Sequence, residues 1–311
     1  MSNKNVNRVF LITVAVYLGV SLLLGYVVTV PMPMNAGLIL SQALVLLPSL
    51  IYCGIRRIPL GEVVPFRKMK FSVWILVVVC TYLMYPLLIV LNALTLFFVD
   101  SGTADLMGIA TQNHFLIATL LMAGLPAFVE EFVFRGMLFS TYKKSRMLPA
   151  VFLSAFLFGC MHLNFNQFLY AFALGIYLAF LVEATGSILS SMLAHFTINF
   201  TSVLMTYALP KLMEAAGGGM ETQLPSASGR FLSTMDEGSL FIMIIGVVFW
   251  AAIALGTTAG GIGVYIAISK ISGRWEHVKT MFRQGTREHL LSISVVIAAV
   301  LAIVFMVVSI I

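Results

Sequence analysis

Charge is what this sequence has least of. Asp, Glu, Lys and Arg together make up 10% of the 311 residues, while 60% are hydrophobic and the mean hydropathy is +1.04. A water-soluble domain of this length is excluded, because a single core cannot absorb that much apolar surface. Cysteine is also sparse. The three present, Cys53, Cys80 and Cys160, each fall in an apolar run without metal-ligand spacing, which excludes a disulfide scaffold and a cysteine zinc site. They read as small buried hydrophobes. No convincing internal repeat is visible, which argues against a symmetric transporter. The His-Glu-x-x-His helix motif of zinc peptidases is absent as well.

What is present is a series of long apolar runs, several of them beyond the roughly 20 residues that span a bilayer as helix. The chain reads as an all-α, polytopic membrane helical bundle of about eight or nine transmembrane helices, one integral membrane domain over 1–311 with 115–202 as its core. Expected spans are 10–30, 36–55, 71–99, 115–139, 149–162, 165–182, 187–209, 239–269 and 290–311. Lys4 and Arg8 precede a first run too long for a signal-peptide core, so it is expected to stay as an uncleaved span. Pro86 predicts a kink or strong tilt in the third span. The eighth is too long for a straight crossing. Its Gly256, Gly260, Gly261 and Gly263 either break it or let a neighbouring helix pack closely. The one long polar stretch, 210–238, contains Gly217-Gly218-Gly219 and reads as a flexible aqueous loop.

The net charge of +6 and pI near 9.3 do not indicate nucleic acid, because the basic residues sit in short loops between spans. With the N-terminus in the cytoplasm, 15 of the 18 Lys and Arg residues fall on that side; only Lys211 and Arg230 fall outside, and Arg135 is in the membrane. A bias of this kind follows the positive-inside rule, with the lipid bilayer as the partner of the basic loops. An odd number of spans then places the C-terminus outside. A bacterial plasma membrane fits short loops and this charge bias, and an endoplasmic reticulum location stays open.

Against that background one stretch stands out: Val129-Glu130-Glu131-Phe132-Val133-Phe134-Arg135-Gly136, two carboxylates and a guanidinium inside an apolar run. An ionised group at membrane depth costs roughly 2.5–3.5 kcal/mol on insertion scales. The bland reading is a structural ion pair between helices. The functional reading gains from the company, since His162, His195 and Asn199 also lie in or at the edge of apolar segments. Glu130 and Glu131 point about 100° apart on a helix, so they cannot face one site equally. Glu131 and Arg135, at i and i+4 with the acid first, are placed for an intrahelical ion pair. Glu130 is then the carboxylate without a local partner, suited to act as a general base. Pro126, one turn earlier, frees the carbonyl of Met122 and is a candidate kink.

His195 and Asn199, at i and i+4, share a helix face. A carboxylate and a histidine can hold and deprotonate a water; a second histidine and an amide NH₂ can donate to a developing oxyanion. No Ser, Cys or Thr sits with a His and an acid as a covalent nucleophile requires, and Ser190 and Ser191 look like ordinary helix serines. Glu130, His162 and His195 are also a conceivable zinc ligand set with an open fourth position, scattered over three helices.

Glu130-Glu131-x-x-x-Arg135, Phe158-x-x-x-His162 and His195-x-x-x-Asn199 resemble the three motifs of the CPBP family of intramembrane proteases. That family includes the CAAX prenyl endopeptidases of Ras-converting type and bacteriocin-immunity proteins. Thr185-Gly186-Ser187-Ile188 fits the usual approach to the third motif. The resemblance covers about 115–202. It implies that Glu130 activates the attacking water with help from His162, that His195 and Asn199 form an oxyanion hole, and that Glu131 and Arg135 support the motif. It implies no required metal or other cofactor, and a membrane-associated peptide or lipidated, CAAX-type protein as substrate. Two other classes stay open at this point. One is a non-proteolytic scaffold or immunity-type binding protein, and the other a zinc-dependent membrane protease. One geometric tension also stands: counted from the loops, Glu130 lies nearer the cytoplasmic side and His162 nearer the outer side. They meet only if the fourth helix runs past Phe139 or the fifth starts later.

Overall fold

The structure is a computed structural model that describes residues 1–26, 32–99, 113–215, 237–283, 285–286 and 288–309. Regular structure among the described residues is entirely helical, and a helix satisfies its own backbone groups where a bilayer offers no water. The helices are α1 (Asn3–Tyr26), α2 (Met34–Ile55), the short α3 (Leu60–Val63), α4 (Phe71–Thr95), α5 (Phe115–Tyr142), α6 (Met147–Met161), α7 (Phe165–Thr185), α8 (Ile188–Ala215), α9 (Glu237–Ile271), the short α10 (Trp275–Thr280) and α11 (Ile293–Val308). Seven of them, α1, α2, α4, α5, α7, α8 and α9, are long and apolar enough to cross a membrane; α6 and α11 are apolar but have 15 and 16 residues.

Several expected boundaries move. The first helix begins at Asn3 instead of residue 10, and α7 runs through Glu183 to Thr185, where a connection was expected. Helix α8 continues through Pro210 to Ala215, so the start of the expected 210–238 loop is helical; residues 216–236, like Asp100 and Asp105, lie outside the described residues. The eighth expected span is one continuous helix, α9, with 35 residues, about 52 Å at 1.5 Å per residue. Its glycines do not break it. Gly260 and Gly261 lie against Leu83 and Met84 of α4, a Cβ on Gly261 coming within 3.3 Å of the Met84 sulfur, and α4 packs along α9.

Helix α5 is the centre. All eight residues from Phe132 to Phe139 are buried, because this segment touches α1, α2, α3, α6, α7 and α8. Two stretches of α5, Leu120–Gly124 and Phe132–Phe139, are wound as wide π turns, a form that recurs at functional sites. The first ends just before Leu125-Pro126, and a wide turn there accommodates the proline without ending the helix. Helices α6 and α7 approach closely over small residues: a Cβ on Gly175 would lie 2.8 Å from the Ala155 Cα.

One end of the bundle gathers the basic loops. Glu183, 1% exposed, receives Lys143 Nζ at 2.6 Å, His277 Nε2 at 2.6 Å and Arg274 Nη2 at 3.6 Å. Ser187 Oγ donates to the Arg67 carbonyl at 2.8 Å. Asn7, on α1, donates to the Leu290 carbonyl and to Ser292 Oγ, so α11 begins beside the start of α1. Gly186 closes α7 with φ 72°, the left-handed residue that satisfies a helix end. The three cysteines are free and buried.

Candidate active site

The site is built on α5, α6 and α8, with α2 as a fourth wall. Glu131 and Arg135 form the expected ion pair, 2.8 Å apart and 0% and 1% exposed. The guanidinium carbon lies 4.4 Å from the centre of the Phe158 ring on α6. Glu131 Oε1 also accepts from His195 Nδ1 at 3.1 Å. An ionised carboxylate only accepts, so Nδ1 carries the hydrogen. Nε2 of His195 therefore faces Glu130, whose Oε2 is 3.9 Å away. His195 thus spans both carboxylates, although they point apart on their helix: Glu131 holds one nitrogen from below while Glu130, 15% exposed, stands at the cavity.

His162 caps the C-terminal end of α6. Its Nδ1 donates to the Phe158 carbonyl at 2.9 Å, a carbonyl being unable to donate, which leaves Nε2 as the free nitrogen. Phe158 is the hub of the arrangement. Its ring stands edge-on to the His162 ring at 4.9 Å and to the His195 ring at 5.8 Å. The turn to α7 is Leu163-Asn164. Leu163 takes φ 51°, a left-handed conformation that costs a non-glycine residue roughly 1–2 kcal/mol. Asn164 caps α7 by accepting from the Asn166 N–H at 2.8 Å. The tight turn fixes the position of His162.

The depth mismatch between Glu130 and His162 is removed by α5 running to Tyr142. At 1.5 Å per residue Glu130 lies about 18 Å from that end, and His162 about 22 Å from Met147 at the same side of the bundle. Glu130, His162, His195 and Asn199 line one cavity of ≈ 370 Å³. A second cavity of ≈ 250 Å³, reaching Tyr17 and Val45, shares Glu130, Phe158 and His162 with it. On the far side, a space of ≈ 230 Å³ beside Tyr85 and Asn92 shares Asn199. Asn199 has no hydrogen-bond partner among the described residues.

All six sequence-identified polar residues are brought together, Glu130, His162, His195 and Asn199 on the cavity and Glu131 and Arg135 beneath it. Ser190 and Ser191 are occupied with Ser187 O at 2.8 Å and Ile188 O at 3.0 Å, as ordinary helix serines are. Among the described residues no group of three or more His, Cys, Asp or Glu side chains is placed to hold a metal ion; Glu130, His162 and His195 share a cavity without forming a ligand set. Gln42 of α2 was missed from sequence. Its Nε2 donates to Glu130 Oε1 at 3.2 Å. The available signal was its position: with Val45, Ser49 and Cys53 it continues the buried stripe of α2 at helical spacing.

Compared with known proteins, residues 112–201 match the Rce1-like family, described as type II CAAX prenyl endopeptidase. No curated protein and no solved structure matches the chain. The matched segment carries Glu130, Glu131, Arg135, His162, His195 and Asn199, and over these residues the chain is similar to the Rce1-like family of type II CAAX prenyl endopeptidases.

Proposed function

We propose that the protein is an intramembrane glutamic endopeptidase that hydrolyses a peptide bond of a membrane-associated substrate, of which a prenylated CAAX-type chain is the first choice. The observation that carries the reading is the convergence of Glu130, His162, His195 and Asn199 on one cavity. In this mechanism Glu130 takes a proton from water while His162 Nε2 accepts the water's other hydrogen bond. The oxygen adds to the scissile carbonyl carbon. The developing oxyanion accepts from the Asn199 side-chain amide and from His195 Nε2–H, the histidine ring being held by Glu131 before the reaction starts. Glu130 then passes its proton to the departing amine as the C–N bond breaks. In its doubly protonated form His195 donates from both nitrogens, and Glu130, Glu131, Arg135 and His195 carry no net charge between them. That balance supports keeping four ionisable groups in an apolar bundle.

The integral membrane domain over 1–311 is placed, in this reading, in a bacterial plasma membrane with the N-terminus cytoplasmic. The gathering of Lys143, Arg274 and Arg67 at one end of the bundle supports it. The test is cleavage of a quenched, prenylated CAAX peptide by the purified protein, beside Glu130→Gln, with and without a strong chelator. Cleavage that survives chelation and is lost in Glu130→Gln is the expected result. Loss on chelation overturns the glutamic assignment, and cleavage by Glu130→Gln overturns the role of Glu130.

A further inference from the structure

Gln42 stands where an apolar bundle has no packing reason for an amide. It lies on the stripe by which α2 meets the core, between Leu38 and Val45, and it borders both of the cavities that share Glu130. Its nitrogen donates to Glu130 Oε1 at 3.2 Å. The orientation of the amide follows from its partner, since a carboxylate accepts and does not donate. Its own Oε1 is buried and has no partner, a deficit that an apolar side chain of the same length would not carry. The two Glu130 oxygens are thereby divided: Oε1 is held from α2, and Oε2 is turned toward His195 at 3.9 Å.

We propose that Gln42 is the positioning residue of the general base, its Nε2–H anchoring Glu130 Oε1 so that Oε2 is the oxygen that receives the proton from water. The proposal rests on the protease reading above. Glu130 has three rotatable bonds and no partner on its own helix, so a single anchor from a facing helix decides which rotamer is populated. A misplacement of about 1 Å in a reacting group costs on the order of 100-fold in rate. The alternative use of the same hydrogen bond is adhesion between α2 and α5, which affects stability and leaves the chemistry alone.

Gln42→Met separates the two, because methionine keeps length and volume and removes the donor. Gln42→His returns a ring N–H at a similar reach. The measurement is kcat and KM for the quenched prenylated peptide, per folded protein as judged by circular dichroism and size exclusion in detergent. The expected result is kcat lowered about tenfold or more in Gln42→Met with KM within about twofold, and a partial return of kcat in Gln42→His. A Gln42→Met protein with wild-type kcat overturns the assignment while leaving the protease reading intact, even if its stability has dropped. Equal loss in the Met and His variants overturns it too, since the donor would then not be the relevant feature. A wild-type protein that leaves the peptide uncut strikes the protease reading itself, and this one with it.

Discussion

Arg135→Met is the perturbation whose cost follows most directly from the geometry. The pair it breaks is fully buried, Arg135 at 1% and Glu131 at 0% exposure, with one contact of 2.8 Å. Removing the guanidinium leaves Glu131 as a buried carboxylate held by His195 Nδ1 at 3.1 Å and by the Ser191 hydroxyl. Breaking a buried pair from one side costs about 3–5 kcal/mol. Loss of the guanidinium over Phe158, at 4.4 Å, adds about 1 kcal/mol, of which the methionine sulfur against the same ring recovers a part. The double variant Glu131→Gln/Arg135→Met removes both charges, and the new amide oxygen still accepts from His195. Because Arg135 Nη2 and Glu131 Oε2 have no partners, the native pair is a one-point contact and not a two-point fork. The double variant therefore loses little and is expected within about 2 kcal/mol of the wild type. The assay is a double-mutant cycle on reversible unfolding in mixed detergent–SDS micelles, followed by circular dichroism. A coupling of about 2 kcal/mol or more is expected. A single variant as stable as the wild type, or a double variant that shows the sum of the two single losses, refutes the argument.

Three other outcomes follow from particular contacts. Asn199→Ala, which removes the amide donor from the cavity and touches no other hydrogen bond, is expected to lower kcat on the quenched peptide about 100- to 1,000-fold with little change in KM; a loss confined to KM would place Asn199 in substrate binding instead. Glu183→Gln removes the negative charge facing Lys143, His277 and Arg274 and leaves one amide oxygen as acceptor where there were two. These partners are 22–30% exposed and relax into water, so the cost is set below that of Arg135→Met, at about 1–3 kcal/mol by the same unfolding assay. An equal or larger loss would show that the cluster around Glu183 is more enclosed than its exposure indicates. Gly175→Leu places a Cβ 2.8 Å from Ala155 and is expected to destabilise by about 1–3 kcal/mol. It is also expected to lower kcat by displacing α6 and with it His162; unchanged unfolding and unchanged kcat together would refute the close α6–α7 packing.

The polar residues of the site were legible because charge in an apolar run is conspicuous and because helical spacing fixes which residues share a face. The Glu131–Arg135 pair and the shared face of His195 and Asn199 follow from that spacing. What spacing did not supply is the way His195 bridges the two carboxylates, since that depends on how α8 docks against α5. Gln42 escaped notice for a different reason. One neutral amide barely lowers the hydropathy of a 22-residue helix, and its importance lies in the neighbour it meets, not in its own run. Glu183 was read as part of a connection because a carboxylate usually marks the end of an apolar run. Its three partners, Lys143, Arg274 and His277, which let the helix continue through it, lie far away in the sequence. The wide turns of α5 were illegible altogether, because hydropathy records which face is apolar and not which carbonyl each N–H reaches.

Those wide turns bear on why two adjacent carboxylates can do different work. Glu130 and Glu131 end the α-helical segment Leu125–Glu131, which lies between the two π stretches. The segment after them is buried on every side, so Glu131 and Arg135 sit in the solid part of the bundle, while Glu130, about 100° round the helix, meets the cavity. Burial on all sides makes the charge of Glu131 tolerable only with Arg135 and His195 as partners. Partnership with Glu131, in turn, occupies Nδ1 of His195 and commits its Nε2 to the cavity. The neutral amide of Gln42 then supplies the remaining contact to Glu130 without adding a charge. In the proposed mechanism the roles follow from packing: α5 decides which acid is fully buried, the buried acid orients the histidine on α8, and the acid at the cavity is left as the group to exchange a proton. If that order is right, Glu131→Gln should impair cleavage less than Glu130→Gln. It keeps an acceptor for His195, whereas Glu130→Gln removes the proposed base. Equal loss of kcat in the two variants on the same peptide would show that the acids do not divide the work in this way.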